Sequence, residues 1–252
     1  MAQTVFNRCE KKYLLTMDQY EELLSKVGYR MKLDQYGEHT ISNIYYDTYD
    51  NLLIRRSIEK PKYKEKLRLR SYGLPKMDTT VFLEIKKKYK GVVNKRRIAL
   101  KLDEAYAYLN EGVRPEKDSQ ILREIDFMLG REKLIPALYL AYDRKAYFDE
   151  QDPEFRLTFD KNIRSRRDDV RLEDGDRGEP LLDRDKVLME SKIMGAVPYW
   201  FSAVMAELKI YPVSFSKYGN IYKKETVKNQ RLSIYGGMKN DEQYIGLREF
   251  PA

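Results

Sequence analysis

The chain has one cysteine and one histidine in 252 residues. Cys9 alone excludes an internal disulfide framework and suits a reducing compartment. Cys9 together with His39 leaves too little material for a Cys/His metal site or a nucleophile–histidine triad. Long apolar runs are missing too. Arg8, Glu10, Lys11 and Lys12 interrupt any signal-peptide core. The longest weakly charged stretch, Ile193 to Ala206, is broken by Gly195 and Pro198 and falls short of the roughly 20 residues a membrane span needs. A soluble, cytoplasmic protein is the expectation. Also absent are a Gly-rich loop ending in Gly-Lys-Ser/Thr, a dinucleotide fingerprint and any solenoid repeat. If this chain binds phosphate, its side chains must do so.

What the chain has in quantity is charge: 35% of residues, with Lys and Arg exceeding Asp and Glu by 48 to 40, for a formal net charge of +8. Such an excess points to a polyanionic partner without choosing among nucleic acid, anionic membrane and phosphorylated small molecules. The distribution of that charge is more specific. In Lys64 to Arg70, a strand puts Lys66, Arg68 and Arg70 on one face and Leu67 and Leu69 on the other. The same alternation sets Glu84 and Lys86 against Val81, Leu83 and Ile85. It sets Arg156 and Asp160 against Phe155, Leu157 and Phe159, and Glu190 and Lys192 against Val187 and Met189, although Leu188 shares the charged parity.

Strand patterns cover 6–15, 41–47, 63–72, 80–88, 92–100, 137–148, 154–160 and 187–194, several joined by turns short enough to require antiparallel pairing. Helices are predicted at 16–27, opened by a Thr16/Gln19 capping box, and at 103–110, 118–129 and 198–208, with a further one capped by Ser214. Residues 164–185 read as a mobile loop with almost nothing to bury. The expected organisation is one domain over 1–225 followed by a polar extension, 226–252. An antiparallel sheet of this size curls, and closing it sends one parity inward. The helices carry apolar stripes that need an apolar surface, so they should cover the leucine parity from outside. Lys66, Arg68, Arg70, Glu84, Lys86, Lys95, Arg97, Arg144, Arg156, Glu190 and Lys192 then converge within. So many like charges require water or a polyanion, and Arg and Lys together suit a chain of phosphates. The acids either pair with these cations or, at Glu190, bind Mg²⁺ or Mn²⁺ with phosphate and water completing the shell.

These residues resemble the triphosphate tunnel metalloenzyme (CYTH-like) superfamily and within it the VTC (vacuolar transporter chaperone) domain. The resemblance runs through Arg8-Cys9-Glu10-Lys11-Lys12-Tyr13, Ser42-Asn43-Ile44-Tyr45-Tyr46-Asp47, Lys66-Leu67-Arg68-Leu69-Arg70, Phe82-Leu83-Glu84-Ile85-Lys86, Tyr142-Asp143-Arg144, Arg156 to Asp160, Glu190-Ser191-Lys192 and Phe215-Ser216-Lys217-Tyr218. It implies an α+β fold with a closed eight-stranded antiparallel β-barrel, a basic interior and helices outside. It implies a polyphosphate polymerase fed by ATP, with Lys12, Arg68, Arg70, Lys86, Arg144 and Arg156 as catalytic residues. Arg8, Lys66, Lys95, Arg97, Lys192 and Lys217 would bind substrate phosphate. Mn²⁺ or Mg²⁺ would sit at Glu190, with Glu10 and Glu84 as further candidates. The implied partners are ATP and polyphosphate, with room for a membrane-protein partner outside this chain and none for nucleic acid. Arg8 stands where hydrolytic relatives carry an acid, which favours transfer over hydrolysis. A tunnel triphosphatase and a non-catalytic polyphosphate or inositol-phosphate module remain the alternatives.

Overall fold

The computed structural model describes residues 8–90 and 92–242, with side chains from residue 10 to 230. Among the described residues eight long strands and three short ones form a single antiparallel sheet. The strands are β1 (Arg8–Thr16), β2 (Met31–Leu33), β3 (His39–Asp47), β4 (Tyr63–Tyr72), β5 (Thr80–Tyr89), β6 (Val92–Lys101), β7 (Ile135–Asp149), β8 (Arg156–Arg166), β9 (Glu179–Pro180), β10 (Lys186–Met194) and β11 (Pro212–Val213). Their order is β11-β1-β10-β8-β7-β3-β4-β5-β6, with β2 beside β7 and β9 beside β8. The helices are α1 (Met17–Val27), α2 (Leu52–Ile58), α3 (Leu102–Tyr106), α4 (Gln120–Arg131), α5 (Tyr199–Glu207) and α6 (Lys217–Glu242).

The sheet is curled but open, which corrects the expectation of a closed eight-stranded barrel. Among the described residues β6 pairs only with β5, and β1 pairs with β10 and, at two positions, with β11. Pro212 and Val213 pair with Tyr13 and Lys12 on the edge of β1 that closure would hand to β6, and the Lys12 side chain donates from Nζ to the Phe215 carbonyl at 3.0 Å. The β6 edge carries Lys95, Arg96, Arg97 and Lys101, and charge on an edge discourages further pairing.

The leucine parity is covered by helices as their stripes require. Leu67, Leu69, Leu83 and Ile85 pack with Leu102 and Ala105 of α3 and Leu122, Ile125 and Met128 of α4. Tyr13, Leu157, Phe159 and Met189 pack with Leu23 and Val27 of α1 and with Phe201 and Met205 of α5. Each such fully buried side chain contributes about 1.5–3 kcal/mol. α1 begins as predicted: Thr16 accepts from the Gln19 N–H at 3.2 Å while the Gln19 side chain accepts from the Thr16 N–H at 3.1 Å.

A second departure concerns α6. Tyr218 and Ile221 pack with Ile54 of α2 against Tyr45, Leu138, Leu140, Tyr142 and Leu188, all of the charged parity. Not every helix therefore lies outside, and the odd parity of Leu188 is explained. The cap of α6 is Ser216, whose Oγ accepts from the Gly219 N–H at 3.2 Å, in place of the predicted Ser214. The helix continues without a break past residue 225. α2 is held by the buried Asp47 carboxylate, which accepts from the Leu53 and Ile54 N–H groups at 2.8 and 3.0 Å.

Residues 164–185 are mostly exposed, as their composition implies, but 164–166 complete β8 and the segment is tied down, which the expectation of a mobile loop did not include. Leu172 is fully buried in the core. The Arg166 guanidinium lies 3.6 Å over the Tyr139 ring and donates to the carbonyls of Asp169, Arg171, Gly175 and Arg177 at 2.9–3.0 Å. One arginine thereby supplies the interior that composition lacks.

Candidate functional site

Strand register settles which side chains share a face, because residues opposite one another in an antiparallel pair point the same way. Lys12 faces Glu190 and Glu10 faces Lys192. Lys192 in turn faces Arg156, and Arg144 faces Asp160. Tyr45 faces Arg68, and Asn43 faces Arg70. Lys66 faces Lys86 and Arg68 faces Glu84, while Glu84 and Lys86 also face Arg97 and Lys95. All the site residues expected from sequence on these strands lie on one face. Arg8 shares its backbone parity, but its side chain lies outside the described residues. That face is concave around the start of α6: Lys12 on β1 reaches Phe215, Lys66 on β4 donates to Ser216 Oγ at 3.3 Å, and Lys217 reaches Asp160 on β8 at 2.5 Å.

Three carboxylates organise the cations. Glu84 Oε2 accepts from Arg68 at 2.6 Å, and its Oε1 lies 2.9 Å from Lys95 Nζ. Arg70 approaches the same carboxylate at 3.9 Å and donates to Asn43 Oδ1 at 3.0 Å. Burial would raise the Glu84 carboxyl, but Arg68, then Arg70 and Lys95, hold it down to about 2. Asp160 accepts two bonds from Arg144, at 2.6 and 2.8 Å, and one from Lys217. Its burial is likewise outweighed by Arg144 and then Lys217, leaving it well below the usual carboxylate range. Glu190 Oε1 lies 2.8 Å from Lys192 Nζ, and that lysine followed by Lys12 lowers its carboxyl against the opposing effect of burial.

The remaining cations find no such partner. Among the described residues Lys12, Lys66, Lys86, Arg97 and Arg156 have no carboxylate within 4.0 Å. Burial depresses both Lys66 and Lys95 to about 8. Lys12 and Lys66 are desolvated while Arg97 and Arg156 are exposed, so this row of cations is open to an anion, and a flexible string of phosphates could touch many at once.

A divalent cation has a narrow choice of ligands here. No three His, Cys, Asp or Glu side chains come together among the described residues. Glu84 has both oxygens against cations and serves as their counter-charge. Glu10 and Glu190 are diagonal neighbours on paired strands. Glu190, with one oxygen on Lys192, and the exposed Glu10 are the carboxylates that would be offered to Mg²⁺ or Mn²⁺, hard ions that take few protein oxygens and fill their shells with water and phosphate.

Several participants were not singled out from sequence. Asp160 was legible by parity with Arg156, yet an acid beside an arginine looks like ordinary surface. Asn43, Tyr45 and Tyr142 carry no charge and so fall outside the charge alternation, although Tyr142 shares a side with Arg144; Arg68 Nη1 donates to Tyr45 Oη at 3.1 Å and Arg70 Nη2 to Tyr142 Oη at 3.4 Å. Ser216 stood only inside the stretch Phe215-Ser216-Lys217-Tyr218, with Ser214 as the expected cap.

The VTC domain model matches residues 7–225. The chain belongs to the VTC domain family. Solved structures agree at the level of fold. A candidate adenylate cyclase from Bacillus halodurans is similar at a TM-score of 0.52 and 16% identity, over 82% of this chain and 92% of that one. A candidate adenylyl cyclase from Hippeastrum, described as having a dominant triphosphatase activity, is similar at a TM-score of 0.54 and 15% identity, over 85% and 95%. No curated protein sequence matches. No helix among the described residues of this VTC domain is long and apolar enough to cross a membrane.

Proposed function

We propose that this VTC domain is a metal-dependent polyphosphate polymerase that transfers the γ-phosphate of ATP to the end of a growing phosphate chain. The observation that carries this reading is the concave face on which Lys12, Lys66, Lys86, Arg97 and Arg156 lack carboxylate partners while Arg68, Arg70 and Arg144 are held rigidly by Glu84, Asn43 and Asp160. In phosphoryl transfer the protein mainly positions the reactants and neutralises charge. A terminal phosphate oxygen attacks the γ-phosphorus, the bond to the β-phosphate oxygen breaks, and ADP leaves. The arginines orient phosphate oxygens bidentately, and the lysines supply point charge along the chain. A divalent cation at Glu190 and Glu10, when bound, offsets charge on the phosphate oxygens.

The carboxylates favour transfer over hydrolysis. A general base needs a pKa near the working pH. Glu84, Asp160 and Glu190 are all lowered by their cations and make poor acceptors of a proton from water. A phosphate chain end is already anionic and needs no such base. Incubating the protein with ATP and Mn²⁺ should yield ADP and long phosphate chains, with Glu190→Gln losing most of this activity. Orthophosphate as the sole phosphate product would make the protein a triphosphatase, and binding without turnover would make it a polyphosphate-binding module.

A further inference from the structure

Tyr45 occupies the most cationic part of the concave face without any assigned task. Its hydroxyl oxygen is the acceptor of Arg68 Nη1 at 3.1 Å, and the same guanidinium lies 5.9 Å over its ring. Its ring packs against Tyr218 of α6 at 5.0 Å, and the side chain is buried. The charged and titratable groups around it come from every neighbouring element. β4 contributes Lys66, Arg68 and Arg70, β5 contributes Glu84 and Lys86, and β6 contributes Lys95. Lys12 comes from β1, Tyr142 from β7, Asp47 from the end of β3 itself, and Lys217 and Tyr218 from α6. Asp47 is fully engaged by α2 and by the Tyr218 hydroxyl. Glu84 is divided among Arg68, Arg70 and Lys95. No carboxylate is left for Lys66, whose bond is to neutral Ser216. In this surplus of positive charge the phenol oxygen is the nearest thing to a further anion.

We propose that Tyr45 is a positioning residue that competes with incoming phosphate for Arg68 and Lys66, and that phosphate binding protonates its oxygen and converts it from hydrogen-bond acceptor to donor. The change is one O–H bond formed with a proton from solvent, and nothing is oxidised or otherwise transferred. It follows from charge: phosphate brings the negative charge that the cations lack, a phenolate beside it is repelled, and the neutral phenol can donate to a phosphate oxygen. The electrostatics agree with the geometry. Burial alone would raise the Tyr45 phenol, but Arg68, then Lys66, draw it down to about 7. Reciprocally, Tyr45 is the group that most offsets the effect of burial on Lys66. The proposal rests on reading this face as a phosphate site, and it is independent of polymerase turnover.

The protein has 21 tyrosines, and among the described residues Tyr20, Tyr46, Tyr106, Tyr108, Tyr139 and Tyr218 are shifted upward and only Tyr45 and Tyr142 downward. A tyrosinate ultraviolet band at neutral pH therefore reports on very few residues. The experiment follows that band against pH in the whole chain, alone and with inorganic tripolyphosphate, and measures tripolyphosphate binding by calorimetry in buffers of different ionisation enthalpy to count protons. One tyrosinate should titrate near neutral pH, disappear in Tyr45→Phe, persist in Tyr142→Phe, and be suppressed by tripolyphosphate. Between pH 6 and 8 wild-type affinity should weaken about tenfold more than that of Tyr45→Phe, the factor set by a phenol titrating midway. Lys95 weakens both proteins alike, whereas Lys66, which Tyr45 raises, titrates lower in Tyr45→Phe, so the tyrosinate band, to which no lysine contributes, decides where the two affinities do not separate. A band that vanishes with Tyr142 instead, no tyrosinate below the ordinary phenol range, or equal proton uptake by wild type and Tyr45→Phe would each overturn the proposal. If Tyr45→Phe does not fold, the wild-type band and its response to tripolyphosphate decide. Binding without tyrosinate titration removes this proposal alone, whereas no binding removes the phosphate reading with it.

Discussion

Replacing Asp160 by asparagine removes a carboxylate that holds two cations in the middle of the concave face. Asp160 is 1% exposed, accepts both Arg144 bonds and receives Lys217 from α6. Breaking one side of a buried pair typically costs about 3–5 kcal/mol, because the partner charge stays behind. Asparagine keeps one acceptor oxygen and water can reach this face, so the lower end, about 3 kcal/mol, is appropriate. For a chain of this size that corresponds to a fall in Tm of about 6–12 °C. The pH dependence carries the sign. A carboxylate whose folded pKa lies below its unfolded value of about 3.9 contributes its full stability above that pH and loses it as pH falls through the folded value. The gap between wild type and Asp160→Asn should hold from neutral pH down to about 4 and close below it. Freed from Asp160, Arg144 and Lys217 become available to anions, so tripolyphosphate should raise the Tm of the variant by more than that of the wild type. Thermal unfolding followed by circular dichroism from about pH 8 down to about pH 2, well below the unfolded carboxylate value of about 3.9, measures all of this. A Tm within about 2 °C of wild type at neutral pH, where 3 kcal/mol is expected, would refute the reasoning, as would a gap that ignores pH.

Three further outcomes follow from the same geometry. Arg166→Met should cost about 3 kcal/mol and make residues 167–181 susceptible to protease, since four carbonyls lose their donor; limited proteolysis checks it. Leu83→Ala, at a fully buried position between the sheet and α3 and α4, should lower stability by about 2–5 kcal/mol in urea unfolding while leaving the midpoint cooperative. Ser216→Ala removes both the cap of α6 and the bond from Lys66, and should cost about 1 kcal/mol while weakening tripolyphosphate binding measurably by calorimetry.

Much of the sheet was legible because its strands alternate. The bounds of β4 follow from Lys64 to Arg70 and the flanking tyrosines, and the assignment of faces followed once the helix stripes claimed the leucines. The Thr16/Gln19 box fixed the start of α1 because both its bonds are local. What escaped was set by contacts distant in sequence. The sheet stays open, with Pro212 and Val213 on the edge of β1, which nothing in the pattern of β6 or β1 foretells. α2 is two turns with arginines in the middle, and only the carboxylate of Asp47 gives it an N-terminus. Residues 164–185 have the composition of a solvated loop, and their order comes from Arg166 folding inward over Tyr139. In the site, the charged residues could be read by parity, whereas Tyr45 and Tyr142 acquire polar roles only through arginines brought from β4.

The claim on which the rest depends is that the cations of one curled face form a single phosphate-chain site. Calorimetric titration of the protein with tripolyphosphate across a salt series tests it directly, in wild type and in the double variant Lys66→Met/Arg68→Met. The account predicts tight binding that weakens steeply as salt rises, and loss of at least about a hundredfold in the double variant, two charge-assisted contacts at roughly 1.5 kcal/mol each. Absence of binding, or binding that neither salt nor the loss of Lys66 and Arg68 changes, would contradict it.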